Sequence, residues 1–280
     1  MCRRTIFFGI AILLQPVAAW AGSDVIIGRN APSAQLVSMA EIDHSGWDQL
    51  LRKYCDEQGF VNYQAWHRSG QDRQLLQNYL THLSTADPNR PAAPAAKMAF
   101  WINAYNAVTI HGILREYPTT SIRNHTAKVF GYNIWDDLLL PVGNQKFSLN
   151  QMEHEVLRKM GDPRVHFAIV CASIGCPPLL NAAYSPQTLD AQLTANAKRF
   201  FANREKFRAN AAQRRIELSP IIKWFAEDFG ANQAAQLRTI APFLPDESAK
   251  TLATSGQASV GYLDYDWNLN DQATRVARQR

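Results

Sequence analysis

The chain has 280 residues, 46% of them apolar and 19% charged, with a formal net charge of +5. That length buries one large core or two small ones. Its basic residues are scattered, with only local bunches such as Arg214-Arg215 and the tail RVARQR, which gives no basic stripe and no expectation of a nucleic-acid partner.

The first residues, MCRRTIFFGIAILLQPVAAWAGS, place two arginines before an apolar run from Ile6 to Leu14, and Ala19-Trp20-Ala21 fits a small-x-small cleavage site. The run is too short to span a bilayer. The reading is a signal peptide over 1–21, no transmembrane anchor after its removal, and a periplasmic or secreted protein. Loss of Arg3 and Arg4 with the leader lowers the formal charge from +5 to +3.

Residues 22–40 lack periodicity and read as an N-terminal arm. Ser45 is placed to cap a helix carrying Trp47, Leu50, Leu51 and Tyr54, ended by Gly59. GFVNYQAW leads into a second helical stretch with Leu75, Leu76, Tyr79, Leu80 and Leu83 inward. The proline-punctuated DPNRPAAPAA then delivers the chain into its most apolar helix, KMAFWINAYNAVTIHGIL, which Pro118 stops. VFGYNIW has a β-rich composition, and LLLPVGNQKFSL reads as a hairpin turning at Gly143-Asn144. Ser148 caps the next helix, with Gln151 completing a capping box.

RVHFAIVC reads as a buried strand. Beyond it, a helix from Pro186 turns Leu189, Leu193, Ala197, Phe200 and Phe201 inward. Ser219-Pro220 opens the helix of SPIIKWFAEDFG, another helix covers 232–243, and the alternation in VGYLDYDWNLN predicts a last strand. The fold class is α+β: a helix-rich single domain over 41–272 around a small, mostly antiparallel sheet, with a C-terminal tail over 273–280. There is no βαβ alternation and no glycine-rich phosphate loop.

Chemistry is concentrated where polar groups interrupt apolar faces, because an unpaired buried polar group costs about 1–3 kcal/mol. Asn103 and Asn106 share one face of the apolar helix. They either tie a neighbouring loop to the core or line a pocket as substrate-binding donors. In SLNQMEHEVLRKM, Glu153 falls on the stripe set by Leu149, Met152, Val156, Leu157 and Met160, with His154 beside it. Burial there raises a carboxylate's pKa unless a cation pairs with it.

The stretch RVHFAIVCASIGCPPLL holds His166, Cys171 and Cys176. Without the leader the chain keeps an odd cysteine set, with Cys55 on a helical stripe as an inert thiol. H-x4-C-x4-C matches no common zinc spacing, so neither a metal nor any other cofactor is expected. A Cys171–Cys176 disulfide and a thiol activated by His166 or His154 both stay open. Strand alternation would put His166 and Cys171 on opposite faces, which favours Cys176 as the nucleophile.

FWINAYNAVTIHGIL, SLNQMEHEVLR, DPRVHFAIVCASIGCPPLL, LSPIIKWFAEDFG and YLDYDWNLN, in that order, resemble the bacterial, exported branch of the family called domain of unknown function 547. The resemblance spans about residues 45–270 and carries no assigned activity. A looser likeness links the central helix and the histidine after it to papain-like and transglutaminase-like folds, though WINAYN has no cysteine where those enzymes carry theirs.

Two functions are expected. In one, a thiol-dependent hydrolase or acyl transferase acts on a peptide or amide of the cell envelope. Its catalytic residues are Cys176 or Cys171, His166 or His154, and Glu153, with Asn103 or Asn106 binding substrate. In the other, a non-catalytic domain binds a small molecule or envelope component, and Cys171–Cys176 is a structural disulfide.

Overall fold

The computed structural model describes residues 24–126 and 132–278; the expected signal peptide and the start of VFGYNIW lie outside the described residues. The fold is α+β and helix-rich. The arm contributes β1 (Val25–Ile26) and β2 (Val37–Ser38), and three helices follow: α1 (Ser45–Tyr54), α2 (Tyr63–Arg68) and α3 (Gly70–Leu83). Ser45 is the first helical residue rather than the cap, because the Asp43 carboxylate accepts both its amide (2.9 Å) and its hydroxyl (2.7 Å). Asn62 caps α2 by accepting the Ala65 amide.

After β3 (Ala86–Asp87), α4 (Pro94–Glu116) runs through the centre of the molecule, about 35 Å at 1.5 Å per residue. It is buried on every face, as an all-round apolar helix must be. The hairpin of β4 (Leu138–Val142) and β5 (Gln145–Phe147) forms as read, with Asn144 at positive φ in its turn. Ser148 and Gln151 make the reciprocal capping box that opens α5 (Leu149–Gln151).

Further on lie α6 (Leu189–Ala202), β6 (Phe207–Asn210), β7 (Arg215–Leu218), α7 (Pro220–Trp224), α8 (Ala226–Phe229), α9 (Gln233–Ile240), α10 (Glu247–Thr254), β8 (Ser259–Tyr262) and α11 (Gln272–Arg278). The C-terminal segment read as a tail is therefore helical through Arg278. No helix of the described residues is long and apolar enough to cross a membrane.

Two sequence expectations about strands are corrected. In place of one mostly antiparallel sheet, the described residues form three small ones, β1-β4-β5, β2-β3 and β6-β7-β8, with parallel pairs β1·β4, β2·β3 and β7·β8. Short segments of the arm supply two of those parallel partners. RVHFAIVC is no strand either: Pro163–Phe167 form a 3-10 helix that the Asp162 carboxylate caps through the Arg164 amide, and irregular backbone follows. Pro163 favours a helical first turn. The polar groups a neighbouring strand would have satisfied go instead to Asn106, whose amide donates to Ala168 O and accepts from Val170 N, each at 3.0 Å.

Two hydrophobic clusters pack side by side. The larger surrounds α4; the smaller is rich in phenylalanine and lies between α6 and β6–β8. Phe167 belongs to the second and Ala168 to the first, so the 163–171 segment runs along their boundary.

Candidate functional site

Between the clusters lies a cavity of about 140 Å³. Its wall is mainly aromatic and aliphatic, with Trp135, Trp224, Phe225 and Trp267 among the lining residues, and it admits Glu153, His166, Cys171 and Cys176. Four residues singled out from the sequence thus face one small space.

Glu153 sits in a π-helical turn, Met152–Leu157, inserted between α5 and a 3-10 turn at Arg158–Met160. Such bulges shift the helical phase locally and recur at functional sites. Only 9% of Glu153 is exposed, and its Oε2 accepts the Tyr105 hydroxyl at 3.0 Å. Burial pushes its pKa up, against the lowering effects of His154, the Tyr105 bond and Arg158. Its partner is a hydroxyl where the sequence suggested a cation.

His166, 3% exposed, stacks on Phe225 with centroids 4.1 Å apart. Its Nε2 lies 2.7 Å from Asp228 Oδ2. A carboxylate only accepts, so Nε2 carries the hydrogen and Nδ1 keeps the lone pair of the neutral ring. Burial lowers the His166 pKa, against the raising effect of Asp228, and so favours the neutral imidazole. Arg158 holds the same carboxylate bidentately, Nε to Oδ2 at 2.6 Å and Nη2 to Oδ1 at 3.0 Å. Burial alone would raise the Asp228 pKa; the hydrogen bonds from Arg158 and His166 outweigh it and hold it down. Asp228 is therefore an anion that fixes the imidazole's tautomer and orientation.

Cys171 and Cys176 form a disulfide. The Tyr265 hydroxyl lies 3.1 Å from Cys171 Sγ and 3.3 Å from Cys176 Sγ, and Ser173 Oγ is 3.0 Å from Cys171 Sγ. Cys176 is 5% exposed, whereas Cys171 is half-buried. Without a strand the alternation argument lapses, and both sulfurs share the cavity with His166. On the far side of the loop the Lys206 ammonium donates to the Cys176 carbonyl. Cys55 is buried and free, its thiol pushed up to about 12 by burial first.

Three sequence candidates stand apart from the cavity. His154 is exposed and accepts from Arg158 Nη1 at Nδ1 (3.0 Å). The Asn103 amide pairs with the backbone of Tyr184, donating to its carbonyl at 2.8 Å and accepting its N–H at 2.9 Å. Asn106 is likewise spent on Ala168 and Val170, and neither asparagine is among the described lining residues. Their work is to hold loops, the second of which carries His166 and Cys171.

Sequence reasoning missed Asp228, Arg158, Tyr105 and Tyr265. The signal lay in the blocks themselves. WFAEDFG and YLDYDWNLN supply Asp228 and Tyr265, but nothing local says which distant group each meets. Among the described residues, no three or more His, Cys, Asp and Glu side chains gather as a metal site.

Comparison with curated proteins gave no match, and comparison with solved structures gave none. Residues 91–201 match the family model described as "Protein of unknown function, DUF547". Three of the five resembling blocks fall inside that range, with Glu153, His166 and both cavity cysteines; Asp228 and Tyr265 come from beyond it. Over residues 91–201 the chain is similar to the DUF547 family.

Proposed function

We propose that the protein is an exported thiol-dependent hydrolase or acyl transferase acting on an amide or peptide-like acyl group of the cell envelope. The observation that carries this reading is the meeting of Glu153, His166, Cys171 and Cys176 in one cavity. Export rests on the leader pattern of residues 1–21, and protein recovered from the periplasm is expected to begin at Gly22.

The nucleophile must first be released. A dithiol of the compartment reduces the Cys171–Cys176 bond and leaves as its own disulfide. Cys171 is the better nucleophile, being the more exposed of the two cysteines and lying beside two hydroxyls that stabilise a thiolate. Neutral His166 takes its proton. The thiolate attacks the acyl carbon, a C–S bond forms and the C–N bond breaks, and the imidazolium returns the proton to the leaving amine. Water or an acceptor amine then cleaves the thioester, restoring the thiol. In its protonated form, which burial favours, Glu153 supplies a hydrogen bond to the charge developing on the acyl oxygen, and the apolar wall selects a small, uncharged acyl group.

A second reading, a non-catalytic small-ligand site, is favoured by the intact disulfide with Tyr265 against both sulfurs. Release of nitroaniline from a panel of acyl anilides, with and without dithiothreitol, separates the two. The enzyme reading predicts turnover only after reduction, lost in Cys171→Ser and reduced about 10²–10⁴-fold in His166→Asn. Saturable binding of the same anilides to oxidised and reduced protein, with no turnover in either, supports the binding reading.

A further inference from the structure

Behind the disulfide loop lies an open cleft of about 460 Å³, which shares Cys176 and Pro177 with the apolar cavity and is otherwise different in character. Arg199, on α6, is half-buried in its wall and makes no hydrogen bond or ion pair among the described residues. Lys206 sits beside it, 6% exposed, with its ammonium against the Cys176 carbonyl and over the Phe200 ring. Arg275 adds a third cation, already paired with Asp56 at 2.8 Å, and Glu205 is a carboxylate on the same wall.

We infer that this cleft is a binding site for a small carboxylate-bearing molecule, held by Arg199 and Lys206. A half-buried guanidinium without a counter-ion, next to a buried amine, is an incomplete charge arrangement, and its planar fork matches a carboxylate bidentately. With Lys206 protonated in the complex, Arg199 and Lys206 outweigh Glu205 by one positive charge, which one carboxylate neutralises and a phosphate dianion would overshoot. The assignment stands apart from the acid–base cavity and does not depend on its chemistry. Lys206 also ties the site to the loop: a bound anion shares the ammonium that holds the Cys176 carbonyl.

The groups acting on Lys206 are Arg199, which with burial lowers its pKa to about 7, and Glu205 and Asp266, which raise it; burial is the largest effect. In the empty site the amine therefore titrates close to neutral pH, far below an ordinary lysine. A carboxylate beside it raises its pKa, so binding takes up a fraction of a proton.

The test is calorimetric titration of the full chain with N-acetylglycine at about pH 7.5, in two buffers of different ionisation enthalpy. Saturable binding with net proton uptake is expected. Arg199→Gln should weaken binding at least tenfold, and Lys206→Met should abolish the uptake while circular dichroism shows a folded protein. Absence of saturable binding, or an affinity unchanged in Arg199→Gln, overturns the site. Binding without proton exchange overturns the role of Lys206, and tighter binding of inorganic phosphate overturns the carboxylate assignment. If Lys206→Met does not fold, Arg199→Gln and the two-buffer comparison decide alone. Anilide turnover is no readout here, so failure of this site and failure of the hydrolase reading remain distinguishable.

Discussion

His166 and Asp228 are 62 residues apart in the chain, and their side chains meet at 2.7 Å. The contact joins the segment after the π-helical turn to α8, and Arg158 closes it from the other side. Replacing Asp228 by Asn removes the anion that raises the His166 pKa and leaves burial unopposed. The imidazole titration followed by NMR is expected to move to lower pH. The loss of charge-assisted bonds to two partners should cost about 2–3 kcal/mol in urea denaturation. An unmoved titration would mean that Asp228 does not orient the ring.

Glu153 gives a pH signature of opposite sense. Its folded-state pKa is raised by burial, so the stability it contributes is fully present below the unfolded value of about 4.3 and is lost as pH rises through the folded value. Glu153→Gln keeps an acceptor for the Tyr105 hydroxyl and cannot ionise. The variant is expected to gain stability relative to the unmodified protein between pH 4 and pH 8, read from denaturation midpoints at both ends. A constant difference would place Glu153 in contact with water.

The disulfide loop is small, and the loop-entropy relation gives about 2 kcal/mol for closing it. Reduction should lower the thermal midpoint accordingly without unfolding the protein, since the two clusters are built mainly from residues far from the bond. Alkylation before reduction is expected to leave Cys55 unmodified until denaturant is added, because its thiol is buried and pushed up to about 12. Fast labelling of native Cys55 would contradict this.

Asn106 does for the 168–170 segment what a neighbouring strand would do. Asn106→Ala leaves a buried N–H and a buried carbonyl unpaired, an expected loss of about 2–4 kcal/mol. Because that segment lies between His166 and Cys171, the variant should also accelerate amide hydrogen exchange over 166–171. Unchanged exchange there would separate Asn106 from the site.

Much of the fold was legible wherever one local pattern decides the outcome. The all-round apolar character of 97–114 marks α4, Ser148 with Gln151 marks the start of α5, and the spacing of Leu149, Met152, Glu153 and Leu157 puts a carboxylate on a buried face. RVHFAIVC misled because β-branched composition reports burial as readily as strand. What chose the 3-10 turn was Pro163, the Asp162 cap and a side-chain partner 62 residues upstream at Asn106. The candidate site was half legible: Glu153, His166 and the cysteines interrupt apolar stretches, whereas Asp228 and Tyr265 acquire meaning only from what they touch. The hairpin β6–β7 and helix α10 went unread because half the apolar residues of Phe207–Leu218 are alanines, which mark no buried face, and α10 is only two turns long.

Activation of one thiol of the reduced pair by His166 is what the proposed chemistry requires. The most direct measurement is the pH dependence of iodoacetamide labelling at Cys171 and Cys176 in the reduced, folded protein, resolved by peptide mass spectrometry. Cys171 is expected to label the faster, with an inflection below the ordinary thiol value of about 8.5 that moves back up in His166→Asn. An inflection at or above the ordinary value, identical in His166→Asn, would contradict it.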